Sequence, residues 1–344
     1  MKKVFCDLHH IGLYRSLQIL FEERLGWELY RPIGEDWAIQ GHWLIAQPYG
    51  NNPGTIRQFL GTDTHAWESY KFLNGDYVLE DNIYHIYDPI TKTHQKAITL
   101  DTFKEMKFDI ILSSYQPHDK TFADLISRYQ PQAKHIAQMG NIFQTTDVKN
   151  VMCSTKPYPV PEGKNVVFYH QEFDLNIFKY KEPVESLKIT NFVNLHPAQF
   201  LYDCYKGALP DYEFKSYGAS CPDGTITGEQ NIADIMAAST FGFHVKPKGD
   251  GFGHVLHNWY ACGRPVITNG SDYADKLGGE LLIDGKTCLN LESCGFQENV
   301  NRIHYWSIPE NHQEMCRNAR DQFTKVVNYD EEFERIKQFL SNIL

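Results

Sequence analysis

The chain has 344 residues, enough for two domains of about 150 residues each. Hydrophobic residues make up 42% and charged residues 22%, which excludes disordered and collagen-like chains. The formal charge of −10 argues against a broad phosphate-binding surface for nucleic acid. Asp7, His9 and His10 come too early for the apolar stretch of a signal peptide, and no run of about eighteen apolar residues occurs. The eight cysteines form no C-x-x-C pair. A cytoplasmic chain with reduced thiols and no membrane span is therefore expected.

Val4-Phe5-Cys6 reads as a short buried strand that gives way to the polar run Asp7 to Gly12. Leu13, Leu17, Leu20, Phe21 and Leu25 then recur at helical spacing, and Gly26 stands where a helix ends. Residues 27–30 follow as a second strand. Strand, loop, helix, strand is the opening of a doubly wound α/β fold. Residues 41–100 are irregular and rich in aromatics, among them Trp43, Trp67 and Tyr70. They include a hairpin pairing 82–87 with 95–100. The α/β rhythm resumes with strands at 108–113 and 134–139 around a helix at 120–129.

Pro157, Pro159 and Pro161 mark an extended connector. A second α/β series follows. Strands are predicted at 187–193, 213–217, 240–245 and 265–268, with helices at 200–207, 231–238 and 254–262. The chain closes on an amphipathic helix at 330–344, with Phe333, Ile336, Phe339, Leu340 and Ile343 on one side. This divides the chain into an N-terminal Rossmann-like domain at 1–165, a C-terminal Rossmann-like domain at 166–330, and a terminal helix at 331–344 that packs back on the first domain. A central cleft between the two domains is expected.

The chemistry concentrates in residues 241–268. A strand ends near Val245, and a loop with Gly249, Gly251 and Gly253 leads into a helix at about His254. Glycines let a backbone approach a ligand closely. The free amides and dipole of the helix start favour a phosphate. Lys246 and Lys248 flank the loop as cations, and Asp250 and Asn258 can bind hydroxyl groups. A diphosphate with polyols at both ends, such as a nucleotide-sugar, suits these groups.

This stretch resembles the donor site of GT-B glycosyltransferases, especially the large retaining family with an E-x7-E motif. Pro247, Asp250-Gly251-Phe252-Gly253, Asn258 and Ala261-Cys262-Gly263-Arg264-Pro265-Val266-Ile267 stand at the places of that motif. Tyr169 to Phe178 is similar to the family's interdomain segment, and Leu282 to Leu289 to its I-x-D-G element. The resemblance covers residues 165–344 well and 27–105 weakly. It implies a GT-B fold and a glycosyltransferase moving a sugar from a nucleotide-diphosphate-sugar, with a UDP-sugar favoured.

The resemblance further implies that Asp250 holds the donor sugar and Asn258 the ribose. Gly251, Phe252, Gly253 and His254 supply the donor loop and its amides, and Gly12 faces the diphosphate. His118 and His10 are the further catalytic candidates. Tyr115, Gln116, Gln138, Asn141 and Arg15 are secondary ones. The family's phosphate-binding Arg position reads Asn194-Leu195-His196, so His196, Lys246 or Lys248 would replace that cation. The resemblance implies transfer with retention, and the absence of a D-x-D triplet argues against a metal-bridged diphosphate, so no metal or other cofactor is expected. The acceptor is a glycan, a lipid-linked sugar or a small molecule. A modified DNA base is the alternative acceptor, and a non-catalytic nucleotide-sugar binding protein the alternative class.

Overall fold

The computed structural model describes residues 1–6, 11–32, 77–88, 93–113, 120–140, 146–155, 163–193, 198–218, 221–246 and 251–344. The chain forms two compact units. The first comprises Met1–Ser154, Tyr158–Phe173 and Asp330–Leu344, and the second Thr155–Pro157 and Asp174–Tyr329.

The first unit is built on nine strands: β1 (Lys3–Cys6), β2 (Glu28–Pro32), β3 (Tyr77–Glu80), β4 (Ile83–Asp88), β5 (Thr93–Ile98), β6 (Ile110–Ser113), β7 (Lys134–Met139), β8 (Asn150–Cys153) and β9 (Asn165–Phe168). Their order is β3-β4-β5-β2-β1-β6-β7-β8-β9. β4 runs antiparallel to both neighbours, and every other pairing is parallel. Helix α1 (Ile11–Gln18) continues as a π-helical turn over Ile19–Arg24. The wider turn shows in the bond from Leu25 N–H to Leu20 O. Gly26 ends it at φ +66°, as the sequence signalled. Helices α2 (Leu100–Glu105) and α3 (Lys120–Tyr129) follow.

The expected hairpin is present as β4 and β5. The preceding strand β3 was not foreseen. It joins β4 through Asp81 and Asn82, both at positive φ, the requirement of a two-residue turn.

The second unit holds β10 (Lys188–Asn191), α4 (Gln199–Ala208), β11 (Glu213–Ser216), α5 (Glu229–Ala237), β12 (Phe241–His244), α6 (His254–Ala261), β13 (Val266–Thr268), β14 (Cys288–Asn290), α7 (Phe296–Trp306) and α8 (Pro309–Val326). All five strands are parallel, in the order β11-β10-β12-β13-β14. Its core gathers Ile189, Tyr202, Phe214, Phe243, Ile267, Leu289, Ile303 and Met315. Phe241–His244 and Val266–Thr268 are buried at every position, as central parallel strands are, and their polar ends His244 and Thr268 are hydrogen-bonded.

Helix α9 (Tyr329–Ile343) closes the chain. Ile336, Phe339 and Leu340 pack into the first unit's core with Leu13, Leu17 and Phe21, and Phe333 and Ile343 lie against it. Buried Glu332 fixes the register: its carboxylate accepts from the His170 backbone N–H at 2.7 Å and faces His170 Nδ1 at 2.6 Å. Arg24 adds bonds to Glu172 and Asp330. Among the described residues, no helix is long and apolar enough to cross a membrane.

Candidate functional site

The strand order defines where each unit can hold a ligand. In the second unit the chain runs from β10 outward to β11, then returns to the other side of β10 as β12. The switch point of the sheet therefore lies between the carboxyl ends of β10 and β12, the place where open α/β sheets hold ligands. In the first unit the corresponding switch lies between β1 and β6. His10 and His118 belong to the segments that follow these two strands, and both lie outside the described residues, as do His196, Lys248 and Asp250. Tyr115, Gln116, Asn141, Trp43, Trp67 and Tyr70 lie outside them too. Gly12 is the second residue of α1 and half-buried.

At the end of β12, three backbone positions are locked. Thr268 Oγ1 donates to His244 O at 2.7 Å. The Asn269 side chain then brackets Lys246: its Oδ1 accepts from Lys246 N–H at 3.2 Å and its Nδ2 donates to Lys246 O at 2.9 Å. The Lys246 side chain remains half-exposed.

Gly251, Phe252 and Gly253 are buried and lead into α6. Gly253 takes φ +75° and ψ +53°, and a methyl there would meet Tyr273 Cε1 at 2.8 Å. Both the conformation and the contact demand glycine. Gly253, standing at the N-cap, has no side chain with which to bond the first turn of α6. The first amides of a helix have no intrahelical acceptor, and the positive end of the helix dipole favours an anion there. His257, one turn in, is fully buried. Its Nδ1 donates to Gly253 O at 2.9 Å, and its ring stacks on Phe252 with centroids 4.0 Å apart. His257 therefore fixes the loop from inside.

Asn258 is 5% exposed on α6, and its Oδ1 is buried without a donor among the described residues. A buried acceptor left unmatched costs about 1–3 kcal/mol. Trp259, the next residue, is wholly buried against Gly242, where a methyl would meet its ring at 2.5 Å.

Other candidates have structural occupations. Arg15 pairs with Glu23. Gln138 Nε2 donates to Ser154 Oγ and Tyr169 OH in the interior of the first unit. The Ala261 to Ile267 stretch supplies a framework: Gly263 ends α6 at φ +65°, and Arg264 is fully buried.

The I-x-D-G element is a tight turn before β14. Gly285 takes φ +69°, and Asp284 accepts from Asn290 N–H at 2.8 Å and pairs with Arg302. Burial pushes the Asp284 carboxyl upward, but the Asn290 amide and the Arg302 guanidinium pull harder, and the net direction is down. A depressed folded value means stability present above the ordinary aspartate range and lost as pH falls through the folded value. Asp284→Asn should therefore flatten the loss of stability below about pH 4, read by thermal melts across pH 3–7.

Sequence reading passed over His244, Asn269, Tyr273 and Lys276. His244 Nε2 and Tyr273 OH lie 2.8 Å apart, and the Tyr273 ring backs Gly253. The only signal for these residues is their place, after β13 or at the end of β12.

No family model and no curated protein matches the chain. Solved structures do. HepE from Anabaena, in complex with UDP-glucose, is 14% identical with a TM-score of 0.61, over 99% of this chain and 100% of that one. A variant of S. aureus TarM, in complex with UDP, alpha-GlcNAc-glycerol and fondaparinux, gives 0.62 at 10% identity, over 99% and 100%. A glycosyltransferase from Rickettsia africae gives 0.57 at 9% identity, over 99% and 98%. The fold is GT-B, as the motif resemblance implied.

Proposed function

We propose that the protein is a glycosyltransferase that takes a sugar from a nucleotide-diphosphate-sugar, with retention and without a metal. One observation carries the reading most directly. A helix start with left-handed Gly253 at its N-cap, beyond β12 of the switch point, shares a helix with the unmatched buried acceptor of Asn258. Amides for phosphate and an acceptor for a hydroxyl, one turn apart, suit a nucleoside diphosphate. That HepE and TarM, of the same fold, are seen with UDP-glucose and UDP supports a UDP-sugar as donor.

In this reading the diphosphate sits at the backbone of Gly251, Phe252, Gly253 and His254, with Lys246 and Lys248 beside it. Asn258 binds the ribose and Asp250 the donor sugar. His10 and His118 contact the reacting groups. Charge developing on the leaving diphosphate is stabilised by amides and ammonium groups. A fixed backbone, bracketed by Asn269, stacked Phe252 and His257, needs little rearrangement to do this. The acceptor is a carbohydrate or a small molecule. TarM's complex with alpha-GlcNAc-glycerol and fondaparinux shows a protein of this fold with carbohydrate ligands, which supports that choice.

The test is calorimetry and thermal melting of the full chain with UDP, GDP, ADP and their glucose conjugates. Binding of one diphosphate, followed by release of that diphosphate on supplying glycan acceptors, is the expected result. A ligand at 100 times its dissociation constant adds about 2.7 kcal/mol of stability. Absence of binding by all of them overturns the reading. Binding without sugar release to any acceptor or to water would make the chain a nucleotide-sugar binding protein.

A further inference from the structure

Lys276 is buried, at 6% exposure, and among the described residues it has no ion pair. Its ammonium lies over the Tyr273 ring, whose centroid is 5.2 Å from Nζ. Asp272 is also buried nearby in sequence and is not ion-paired with it. The stem is packed away, but Nζ is not among the wholly buried polar atoms that lack a partner, so the ammonium laid over the ring still reaches the surface. A cation–π contact holds such a group in place without neutralising it, which leaves its charge for an anion.

The backbone is folded to put the ammonium there. Lys276 N–H donates to Tyr273 O at 2.9 Å, and Lys276 O accepts from Gly279 N–H at 3.0 Å. Gly279 lies so close to the Tyr273 carbonyl that a methyl would stand 1.9 Å from its oxygen. Gly278 is pressed against the Tyr273 ring and Phe252 O, with contacts of 3.1 and 3.4 Å for a methyl. Tyr273 is held by His244 on its hydroxyl and touches Gly253 with its ring edge. One aromatic ring thus carries the ammonium of Lys276 and backs the glycine that opens α6.

We propose that Lys276 is a phosphate-binding residue of the donor site, supplying a cation, held on the Tyr273 ring beside Gly253, that neutralises a bound nucleoside diphosphate. The proposal rests on the donor-site reading above. It differs from the cations at Lys246, Lys248 and His196, which sequence alone put forward. Tyr273 acts as a positioning residue that holds the ammonium.

The experiment measures binding of UDP, GDP and ADP, and of the matching monophosphates and nucleosides, to the wild-type chain, Lys276→Met and Lys276→Arg. Methionine keeps the length and packing on Tyr273 and removes the charge. The expected result is a loss of at least about tenfold in affinity for the diphosphate that the wild type binds. The matching nucleoside should bind unchanged, arginine should restore most of the diphosphate affinity, and the ligand-free Lys276→Met chain should melt no lower than wild type. Unchanged diphosphate affinity in Lys276→Met overturns the proposal and leaves the donor-site reading intact. Equal losses for nucleoside and diphosphate, with a lowered melting temperature, overturn it in favour of a structural role. Failure of the wild type to bind any of the three diphosphates overturns the donor-site reading itself.

Discussion

Replacing Arg264 with methionine lowers the stability of the second unit by about 3–5 kcal/mol, the largest effect expected of any single substitution considered. The guanidinium is wholly buried and has no carboxylate partner among the described residues. Its donors go to backbone carbonyls. Nη2 and Nε reach Ala237 O at 2.7 and 3.1 Å, and Nη1 reaches Lys181 O at 2.9 Å and Cys262 O at 3.2 Å. Ala237 ends α5, and Cys262 caps the end of α6. Carbonyls at helix C-termini lack intrahelical partners and carry the negative end of the helix dipole. One cation therefore satisfies two helix ends and the 181–182 backbone together.

Methionine fills the volume but leaves those acceptors buried and unmatched, at about 1–3 kcal/mol each. Lysine supplies the charge without the planar fork and recovers part of the loss. Calorimetric unfolding should show the melting temperature falling by about 10 °C in Arg264→Met and by less in Arg264→Lys. Melting temperatures equal to wild type in both variants would show that the carbonyls find other donors.

The same stretch shows what the sequence could and could not convey. Ala261 to Ile267 was read as part of a donor motif, and its placement after α6 is correct. Its arginine and glycine act in the framework, however: Gly263 sits where a methyl would meet the Tyr180 ring at 2.3 Å. A motif marks a position in a fold without separating the residues that touch a ligand from those that hold the loop. The parallel strands β1 and β6 were legible because burial on both faces leaves short apolar runs, and β10, β12 and β13 because each stands in the strand–loop–helix alternation. β8 and β9 were not, since no helix separates them among the described residues, and β9 has an exposed first residue at the sheet edge. α7 and α8 are largely polar, and only Asn299, Val300 and Ile303 in α7, and five residues in α8, are buried. Tyr273 and Lys276 were invisible for another reason. Their importance comes from a tight turn that folds Lys276 back over the ring, and that is set by Gly278 and Gly279 through space.

Asn258→Leu separates a binding role from a packing role at the centre of the candidate site. The side chain is buried, yet its Oδ1 accepts nothing from the described residues. Leucine has nearly the same volume, removes the unmatched acceptor and is a better helix former by a few tenths of a kcal/mol. The ligand-free variant should therefore be as stable as wild type or slightly more so, within about 1 kcal/mol. Binding should move the other way. A ribose hydroxyl that met Oδ1 would face a methyl group with its own hydrogen bond unmade, so affinity for UDP falls about ten- to a hundredfold.

The identity of the lost partner can be read directly. The wild type should bind UDP more tightly than its 2′-deoxy or 3′-deoxy analogue, and Asn258→Leu should bind UDP and that analogue equally. If the variant keeps its preference for the hydroxyl, Asn258 does not contact the ribose. If it loses stability as well as affinity, the amide is part of the packing of α6 and the donor's hydroxyl is recognised elsewhere. A gain in stability coupled to a loss of binding is what distinguishes a group kept for a ligand from one kept for the fold.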